Sequence, residues 1–435
     1  MNARAIKSLC GHRLVWAMAM LVALAACQRV TEADRKSVPA AWIPAGNEME
    51  RIVDAETGRT VRYLTSGRSI DTIFHYHNTT WGVIHGRDYL FFESSRDRPP
   101  GAGATVPGER QVMAADIETG DLYYLTSIGY DGAGGDDPWF RQVNTPVQYH
   151  AFYNDTAKTL FYFDKRRTRL FAYRCLTGER KLLRTMPEGA IPRELSHHAD
   201  EQGVRLVYPY LLDGKHFIEV LDLDGDLNLL ASAIVRESPP GEAINHISIR
   251  PGDRDTILYN RVHGTALTER QNLVAGLRPG GTDVEFDKGR VVDHPVWGRR
   301  GQSLYWDDNE GGLCRFTPAS GVVERLLKLP QVPVHNQLSS DERLWVYDTR
   351  SSEIFSGEVP GCIGPASNWQ GAIHVCDITA GVSEKYANIL WAHPQPRHPH
   401  PQFSADDKHL AFVTGAGEKD AFTRIVVMCV GHEPR

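Results

Sequence analysis

The feature that most constrains this chain is a repeat of short β-rich runs with no helical periodicity of useful length. Tyr89–Phe92, Leu160–Phe163 and Arg205–Tyr208 are examples, and turns rich in Gly, Asp and Asn separate such runs. They recur at about 40 to 50 residues, a period typical of the blades of a β-propeller. The body of the chain is also too long for one ordinary β-sandwich. The sequence therefore predicts an all-β, seven-bladed β-propeller.

The repeat divides into seven units, and the same hairpin phrase recurs among them. An apolar strand, then Asp or Thr, any residue and Gly, precedes a polar strand, as in Asp116–Gly120 and Cys175–Gly178. We interpret this phrase as the turn between the third and fourth strands of a blade. The first unit starts at Trp81, the second at Val147, the third holds Arg205–Tyr208, and the later units start at Ile244, at Asp293, near Val334 and near His398.

The two ends of the chain predict how the ring closes. Ile52–Thr65 carries the hairpin phrase before any complete blade, whereas the last unit ends after its third strand, at Val430. An early strand from residues 59–65 would supply the missing outer strand of the last blade. A propeller closed in this way leaves no unpaired edge at that blade. We therefore expect the propeller to span residues 51–435.

The N-terminus reads as an export signal. Three basic residues precede the short apolar stretch Leu14–Ala26, which is too short for a lasting membrane span. Its ending, Leu24–Cys27, resembles a bacterial lipobox, which implies cleavage after residue 26 and lipidation of Cys27. Gln28 then implies the outer membrane, with the protein facing the periplasm. The alternative is a plain cleaved signal peptide. Residues 27–50 are interpreted as a lipidated tether.

Charge and cysteine content exclude two classes of protein. Removing residues 1–26 leaves 45 Lys and Arg against 54 Asp and Glu, about −9, and no basic patch that would bind nucleic acid. Contact with a membrane is expected only through the lipid anchor, and no feature indicates an oligomeric state. The remaining cysteines are odd in number and scattered, which does not suit a disulfide framework. We expect small buried apolar residues at Cys175, Cys314, Cys362, Cys376 and Cys429.

Histidines precede the innermost strand of most units. They are His150, His197, His198, His246, His294, His335, His398 and His400. The starts of the innermost strands gather at one mouth of a propeller channel, so these side chains should converge there. A single histidine is more often structural, but a set at equivalent positions favours a functional site, since ionisable groups are seldom buried without partners.

The last unit carries the sharpest part of this pattern. In an extended chain His398 and His400 project to the same face and can share one metal ion, with the Gln395 oxygen just upstream. The alternative is a polar loop, which Pro396 and Pro399 favour because proline interrupts a regular ladder.

Four segments resemble successive blades of oligogalacturonate lyases. They are Asn245–Asp253, Asp293–Gly298, His335–Ser340 and Gln395–His400. The Gln-x-x-His-x-His element with an upstream His-x-x-Trp is the specific part of the resemblance, which spans roughly residues 50 to 430. The resemblance implies a seven-bladed propeller that degrades pectin-derived oligosaccharides and binds manganese.

The resemblance also implies roles for individual residues. The metal ligands would be His294, Gln395, His398 and His400, and His246 would be the base. Cleaving a 4-linked uronate by β-elimination requires removal of the C5 proton next to a carboxylate. A divalent cation on that carboxylate stabilises the developing charge, and a neutral imidazole is a suitable base near pH 7. Imidazole and amide ligands suit Mn²⁺, although Zn²⁺, Ni²⁺ and Fe²⁺ also bind them.

The chain departs from the family in two respects. Family members are typically cytoplasmic, whereas this chain carries an export signal. The family uses an arginine in the third blade, where this sequence has Lys215 and His216. We place these two residues, with His335 and Arg270, at the acidic oligosaccharide substrate.

Two other functions remain open from the sequence. One is a non-catalytic periplasmic propeller that binds a sugar or a protein in its channel. The other is a hydrolase, but the sequence has no Gly-x-Ser-x-Gly motif, and Asp307-Asp308 and Asp406-Asp407 are typical of turns rather than of a catalytic carboxylate pair.

Overall fold

The computed structural model describes residues 38–74, 77, 79–104, 109–129, 151–164, 168–263, 270–286, 292–308, 310–350, 369–391, 398–416 and 422–431. Every regular element in these ranges is a β-strand, and no helix there could cross a membrane. Seven separate sheets form a seven-bladed β-propeller, which confirms the predicted fold class.

The first three blades and the N-terminal strands have the following bounds. The N-terminal strands are β1 (Ile43–Asn47), β2 (Glu50–Val53) and β3 (Thr60–Tyr63). Blade 1 contains β4 (Asp71–Ile73), β5 (Trp81–Ile84), β6 (Arg87–Ser94), β7 (Glu109–Asp116) and β8 (Asp121–Gly129). Blade 2 contains β9 (Ala151–Asn154), β10 (Thr159–Phe163), β11 (Arg169–Arg174) and β12 (Arg180–Thr185). Blade 3 contains β13 (Ile191–Pro192), β14 (Ser196–Asp200), β15 (Gly203–Leu212), β16 (Lys215–Leu223) and β17 (Leu229–Glu237).

The other four blades follow the same antiparallel order from the channel outward. Blade 4 contains β18 (Glu242–Ile249), β19 (Thr256–His263), β20 (Arg270–Gly276) and β21 (Asp283–Glu285). Blade 5 contains β22 (Asp293–Trp297), β23 (Leu304–Asp307), β24 (Gly312–Thr317) and β25 (Val322–Lys328). Blade 6 contains β26 (Pro333–Leu338), β27 (Leu344–Arg350), β28 (Trp369–Asp377) and β29 (Val382–Trp391). Blade 7 contains β30 (Gln402–Phe403), β31 (His409–Gly415) and β32 (Thr423–Cys429).

The core lies between neighbouring blades. Side chains alternate across a strand, so a strand between two blades must be apolar on both faces. In β10, Leu160 and Tyr162 pack toward blade 1, whereas Phe161 and Phe163 pack toward blade 3. This double burial explains why the runs that identify the blades are continuous apolar stretches rather than alternating ones.

None of the described cysteines forms a disulfide with another described residue. Cys175, Cys314 and Cys376 are buried, as expected for small apolar residues, and Cys429 is partly buried. Cys27 and Cys362 lie outside the described residues.

An N-terminal strap, residues 38–65, contacts several blades, including blades 1, 2 and 7. The Trp42 indole donates a hydrogen bond of 2.7 Å to the carbonyl of Cys175 in blade 2. Strand β1 then pairs with β8 of blade 1, and β3 pairs with β32 of blade 7. The predicted closure of the ring by an N-terminal strand is therefore confirmed. Val38, Ala41 and Trp42, which lie inside the stretch assigned to the tether, pack against the core between blades 1 and 2.

Blade 1 begins earlier than the sequence indicated. Its innermost strand is split in two, with β4 pairing to one half of β6 and β5 pairing to the other. The apolar run at Trp81 is therefore the second half of that strand. Phe74, His77, Thr79 and Thr80 lie between the halves and belong to neither strand, and this interruption positions part of the site described next.

Candidate metal centre

The innermost strands of blades 4, 5 and 6 are interrupted at corresponding places. The pairing of each with its second strand shifts register between Asn245 and Ser248, between Asp293 and Val296, and between Pro333 and Asn336. Such bulges bend a strand and re-aim the side chains within it. His246, His294 and His335 lie inside these three interruptions.

Several of the histidines adopt a backbone conformation that is uncommon outside glycine. The φ angles of His246, His294 and His400 are 51°, 49° and 43°. Left-handed backbone of this kind costs roughly 1–3 kcal/mol per residue and persists where packing enforces it. Its recurrence at matching places in three blades indicates a shared purpose rather than an irregular loop.

Buried polar side chains stabilise the backbone groups that the interruptions release. Asp348 accepts a hydrogen bond of 2.7 Å from the His335 amide, and Glu194 accepts one of 3.1 Å from the Ile247 amide. Asn336 donates to the His294 carbonyl over 3.1 Å. Because an unpaired buried amide or carbonyl is costly, these contacts fix the interruptions in place.

Blade 1 contributes a histidine through the gap in its split innermost strand. His77 lies in that gap, and Gln402 of blade 7 holds both ends of it. The Gln402 amide donates to the Phe74 carbonyl over 2.8 Å and accepts from the Thr80 amide over 3.2 Å. Blade 7 therefore positions a loop of the blade next to it.

These devices assemble a histidine cluster, which comprises His77, His246, His294, His335, His398 and His400. Ring centroids are 5.8 Å apart from His77 to His246, 5.5 Å from His246 to His294 and 4.6 Å from His294 to His335. His335 lies 5.1 Å from His398 and 4.2 Å from His400 by the same measure. The sequence-based expectation that histidines from distant units converge is therefore correct for His246, His294, His335, His398 and His400, whereas His77 was not among the residues expected.

Three members of the cluster are arranged as metal ligands. Ligand nitrogens of the buried residues His335, His398 and His400 all lie within 4.8 Å of one another. Asp348 accepts from Nδ1 of His335 at 2.9 Å, and Nε2 of the same ring lies 3.4 Å from Nδ1 of His398. A carboxylate behind a histidine in this way orients the ring and raises its basicity at metal sites. Three imidazoles with a supporting carboxylate fit a divalent first-row metal.

Burial keeps members of the cluster uncharged. Burial, reinforced by the neighbouring imidazoles of His335 and His294, holds the pKa of His400 well below its usual range. Burial and His294 lower the pKa of His77 to about 3. Since metals bind the neutral imidazole, burial favours the ligand form of these two histidines.

The structure groups the predicted ligands differently from the sequence-based assignment. His335, which we placed at the substrate, belongs to the close group with His398 and His400, whereas His294 lies next to that group against His335. The bulge before Asn336 turns His335 inward, and spacing along the chain does not reveal it. Gln395 lies outside the described residues, so its role as a ligand stays a prediction.

The remaining predicted residues fall in several environments. Lys215 is half-buried and pairs with Glu237 over 2.6 Å. His216 is buried, and burial together with Arg193 lowers its pKa to about 3. Arg270 begins β20. Their contacts with substrate stay predictions.

The third-unit histidines do not join the cluster. His197 and His198 lie within β14, past the gap between β13 and β14 that corresponds to the other interruptions. Arg193, Glu194 and Leu195 occupy that gap instead. His150 lies outside the described residues.

Sequence reasoning missed three residues at or near the site. His77 carried a signal, since His75-Tyr76-His77 repeats the His-x-His spacing of the last unit. Arg193 is a buried arginine in blade 3, where the sequence offered only Lys215 and His216. Asp348 had no signal, because its partner lies on a neighbouring strand and only the fold brings the two together.

Comparison with known proteins gives a structural match without a sequence match. No protein-family model matches the chain, and no curated protein matches it in sequence. A solved oligogalacturonate lyase in complex with manganese superposes with a TM-score of 0.67 at 15% identity, covering 90% of this chain and 98% of that one. An oligogalacturonate lyase from Vibrio parahaemolyticus gives a TM-score of 0.66 at 15% identity with the same coverage. The chain therefore has the β-propeller fold of the oligogalacturonate lyases.

Proposed function

We propose that this protein is a polysaccharide lyase that cleaves uronate oligosaccharides of the oligogalacturonate type by metal-assisted β-elimination. The observation that carries the proposal is the buried group His335, His398 and His400 with Asp348 behind it. The match to two oligogalacturonate lyases supports it at the level of the fold.

The metal would be held by His335, His398 and His400, with His294 and Gln395 as further candidate ligands. When bound there, a divalent cation supplies Lewis-acid stabilisation to a substrate carboxylate. We propose Mn²⁺ or another divalent first-row metal, and the manganese complex of a similar fold supports the first choice. Asp348 would keep the His335 ring oriented throughout.

His246 is the proposed base. Its ring centroid lies 5.5 Å from that of His294. His246 does not belong to the close group of His335, His398 and His400. Its imidazole would accept the C5 proton of the uronate as the bond to the leaving oxygen breaks. The other carboxylates of the uronate oligosaccharide would be bound by cations and polar groups, for which we propose Lys215, His216 and Arg270.

The test combines metal content with product absorbance on oligogalacturonate. His246→Ala should retain metal and lose roughly 10²–10⁴-fold in turnover, as expected for loss of a general base. His398→Ala should lose both metal and turnover. His263→Ala is the matched control, because His263 lies outside the cluster and forms a hydrogen bond of 2.9 Å with Gln271. This variant should retain both the metal and the turnover.

The opposite outcome favours a binding propeller. If the purified protein holds no metal and forms no unsaturated uronate from any uronate oligomer, the lyase proposal fails. A non-catalytic propeller that holds a sugar or protein in its channel would then be the better interpretation.

We also propose that the protein is an exported lipoprotein of the outer membrane, anchored through Cys27. The lipobox-like Leu24–Cys27 supports this location. In a Gram-negative host, the full chain should incorporate labelled palmitate and fractionate with the outer membrane, and Cys27→Ser should do neither. Incorporation of label into the Cys27→Ser chain would contradict the proposal.

A further inference from the structure

A second polar site lies in the channel beyond the histidine cluster. A cavity of about 390 Å³ extends from His77 along the later residues of the innermost strands. Its lining includes Asn154, His197, Trp297 and Arg299. We call it the channel cavity. Its volume falls within the range of small-molecule sites, roughly 300–1,000 Å³.

The cation at this cavity has no paired carboxylate among the described residues. Arg299 donates to the Phe403 carbonyl over 2.9 Å and approaches the Gln337 side-chain oxygen at 3.4 Å. The nearby carboxylate of Asp407 raises the pKa of Arg299 through its charge, but it is not within ion-pair distance. Asp407 instead accepts a hydrogen bond from the Ser340 amide over 2.8 Å. Burial lowers the pKa of Arg299, which is the effect of holding a guanidinium away from water. An anionic ligand would offset that cost.

A directed donor lines the same cavity. The Asn154 side-chain oxygen accepts from the Ala157 amide at 2.8 Å, which fixes the orientation of the Asn154 amide. Its nitrogen therefore donates to Nδ1 of His197 over 3.0 Å, and the proton of His197 lies on Nε2. His197 is part of the wall of the channel cavity, and a ligand hydroxyl there can accept from this nitrogen.

Two further features select the class of ligand. Trp297 forms part of the wall, and its indole is held by a hydrogen bond of 3.3 Å to the Ser248 carbonyl. Of the described residues that line the cavity, Asp155 is the only carboxylate, and it already pairs with Lys158 over 2.7 Å. The cavity thus offers a cation, a neutral donor and a flat apolar wall without an unpaired negative charge.

We propose that the channel cavity binds a single-ring sugar acid, with its carboxylate at Arg299 and its hydroxyls toward His197 and Gln337. The choice of a uronate rests on the proposed function, because a uronate oligosaccharide would deliver such units to the channel. The cavity is separate from the metal centre, and binding there requires none of the three closely grouped histidines.

The test is equilibrium binding of galacturonate to the purified protein by calorimetry. Galactose, which has the ring without the carboxylate, and acetate, which has the carboxylate without the ring, should each bind at least about ten-fold more weakly. Arg299→Met should weaken galacturonate binding by about ten-fold or more, as expected for a hydrogen bond to a charged group. Arg300→Gln, an exposed neighbouring cation, should change it less than about two-fold.

Two more variants separate the proposals. Arg299 also donates to the Phe403 carbonyl, so Arg299→Met removes a structural hydrogen bond as well as the cation. Thr156 is an exposed residue of the cavity lining, and Thr156→Trp fills the cavity without disturbing the core. It should abolish galacturonate binding. His398→Ala should leave that binding intact while removing the metal.

The inference is overturned if galacturonate does not bind or if acetate binds equally well. It is also overturned if galacturonate binding is lost in His398→Ala and unchanged in Thr156→Trp. If the unmodified protein shows no lyase activity but binds galacturonate in a way that depends on Arg299 and Thr156, the proposed lyase function is refuted. The proposed binding site in the channel cavity is then still supported.

Discussion

At the scale of single residues, Asp348 has the clearest indirect role. Its two oxygens accept from the amide and from Nδ1 of His335, so one buried carboxylate sets both the backbone bulge and the ring. Supporting carboxylates of this kind influence metal affinity through the ligand they orient.

Replacing Asp348 should therefore weaken the proposed metal centre, although Asp348 would not itself contact the metal. We expect Asp348→Asn to lower metal affinity by roughly 10–100-fold. Competition with a chelating dye measures this directly. Asp341→Asn in the same blade, at an exposed turn, serves as the control and should leave affinity unchanged. Equal affinity in both variants would remove Asp348 from the site.

A residue distant from the cluster predicts a pH dependence of stability. His374 stacks on Tyr347 with centroids 5.1 Å apart, and burial, with a smaller effect of Lys385, lowers its pKa to about 4. The unfolded chain takes up this proton near pH 6.5, whereas the folded protein resists it until about pH 4. The free energy of unfolding should therefore fall as the pH falls through this window, by roughly 2–3 kcal/mol from this group.

Denaturant titrations at several pH values check this expectation. His374→Phe keeps a ring on Tyr347 but cannot take up a proton. Between pH 7 and pH 4 its stability should decline less steeply than that of the unmodified protein. Parallel declines would show that another group is responsible.

At the scale of elements, the interrupted innermost strand is the unit that builds the site. Each gap or bulge releases backbone groups, and a neighbouring strand or blade supplies the side chain that satisfies them. Gln402 shows this most clearly, since one fully buried amide holds both ends of the loop that carries His77.

Removing Gln402 should destabilise that loop. Gln402→Ala leaves the Phe74 carbonyl and the Thr80 amide without their partner, at about 1–3 kcal/mol for each buried group. We expect a loss of roughly 2–4 kcal/mol in the free energy of unfolding. Gln202→Ala is the control, because Gln202 is exposed and accepts from Arg254 at 3.0 Å on the surface. A Gln402→Ala protein as stable as this control would contradict the assigned role.

The interruptions also mark the limit of what the sequence could predict. Strands, hairpins and the closing strand follow from local patterns, namely apolar runs and turn residues, and these were predicted. The direction of His335 and the placement of His77 depend on bulges and on contacts between blades. Such contacts join Asp348 to His335 and Gln402 to Phe74, residues that no local pattern relates.

At the scale of the whole molecule, the strap controls the integrity of the ring. In addition to the pairing of β3 with β32, Thr65 accepts from the Ile425 amide over 3.0 Å. The Arg59 guanidinium lies 3.7 Å from the Tyr386 ring centroid and pairs with Glu384, which ties the strap to blade 6 as well.

A chain that lacks residues up to 66 should consequently melt at a much lower temperature. It exposes the edge of β32, which invites pairing between molecules. Calorimetry and light scattering measure both effects. A chain that begins at Val38 retains every described strand and should melt like the full protein. If the two truncated chains melt alike, the strap does not close the ring.

The pairing of β3 with β32 also determines when the ring can close during synthesis of the chain. Val61 lies opposite Met428, so a segment made at the start of synthesis finds its partner only when almost all of the chain exists. The nascent blades must wait with one edge of the ring open, and contacts this far apart in sequence form slowly. A ribosome that stops a few dozen codons early would release a chain that has nearly all of its blades but no closed ring.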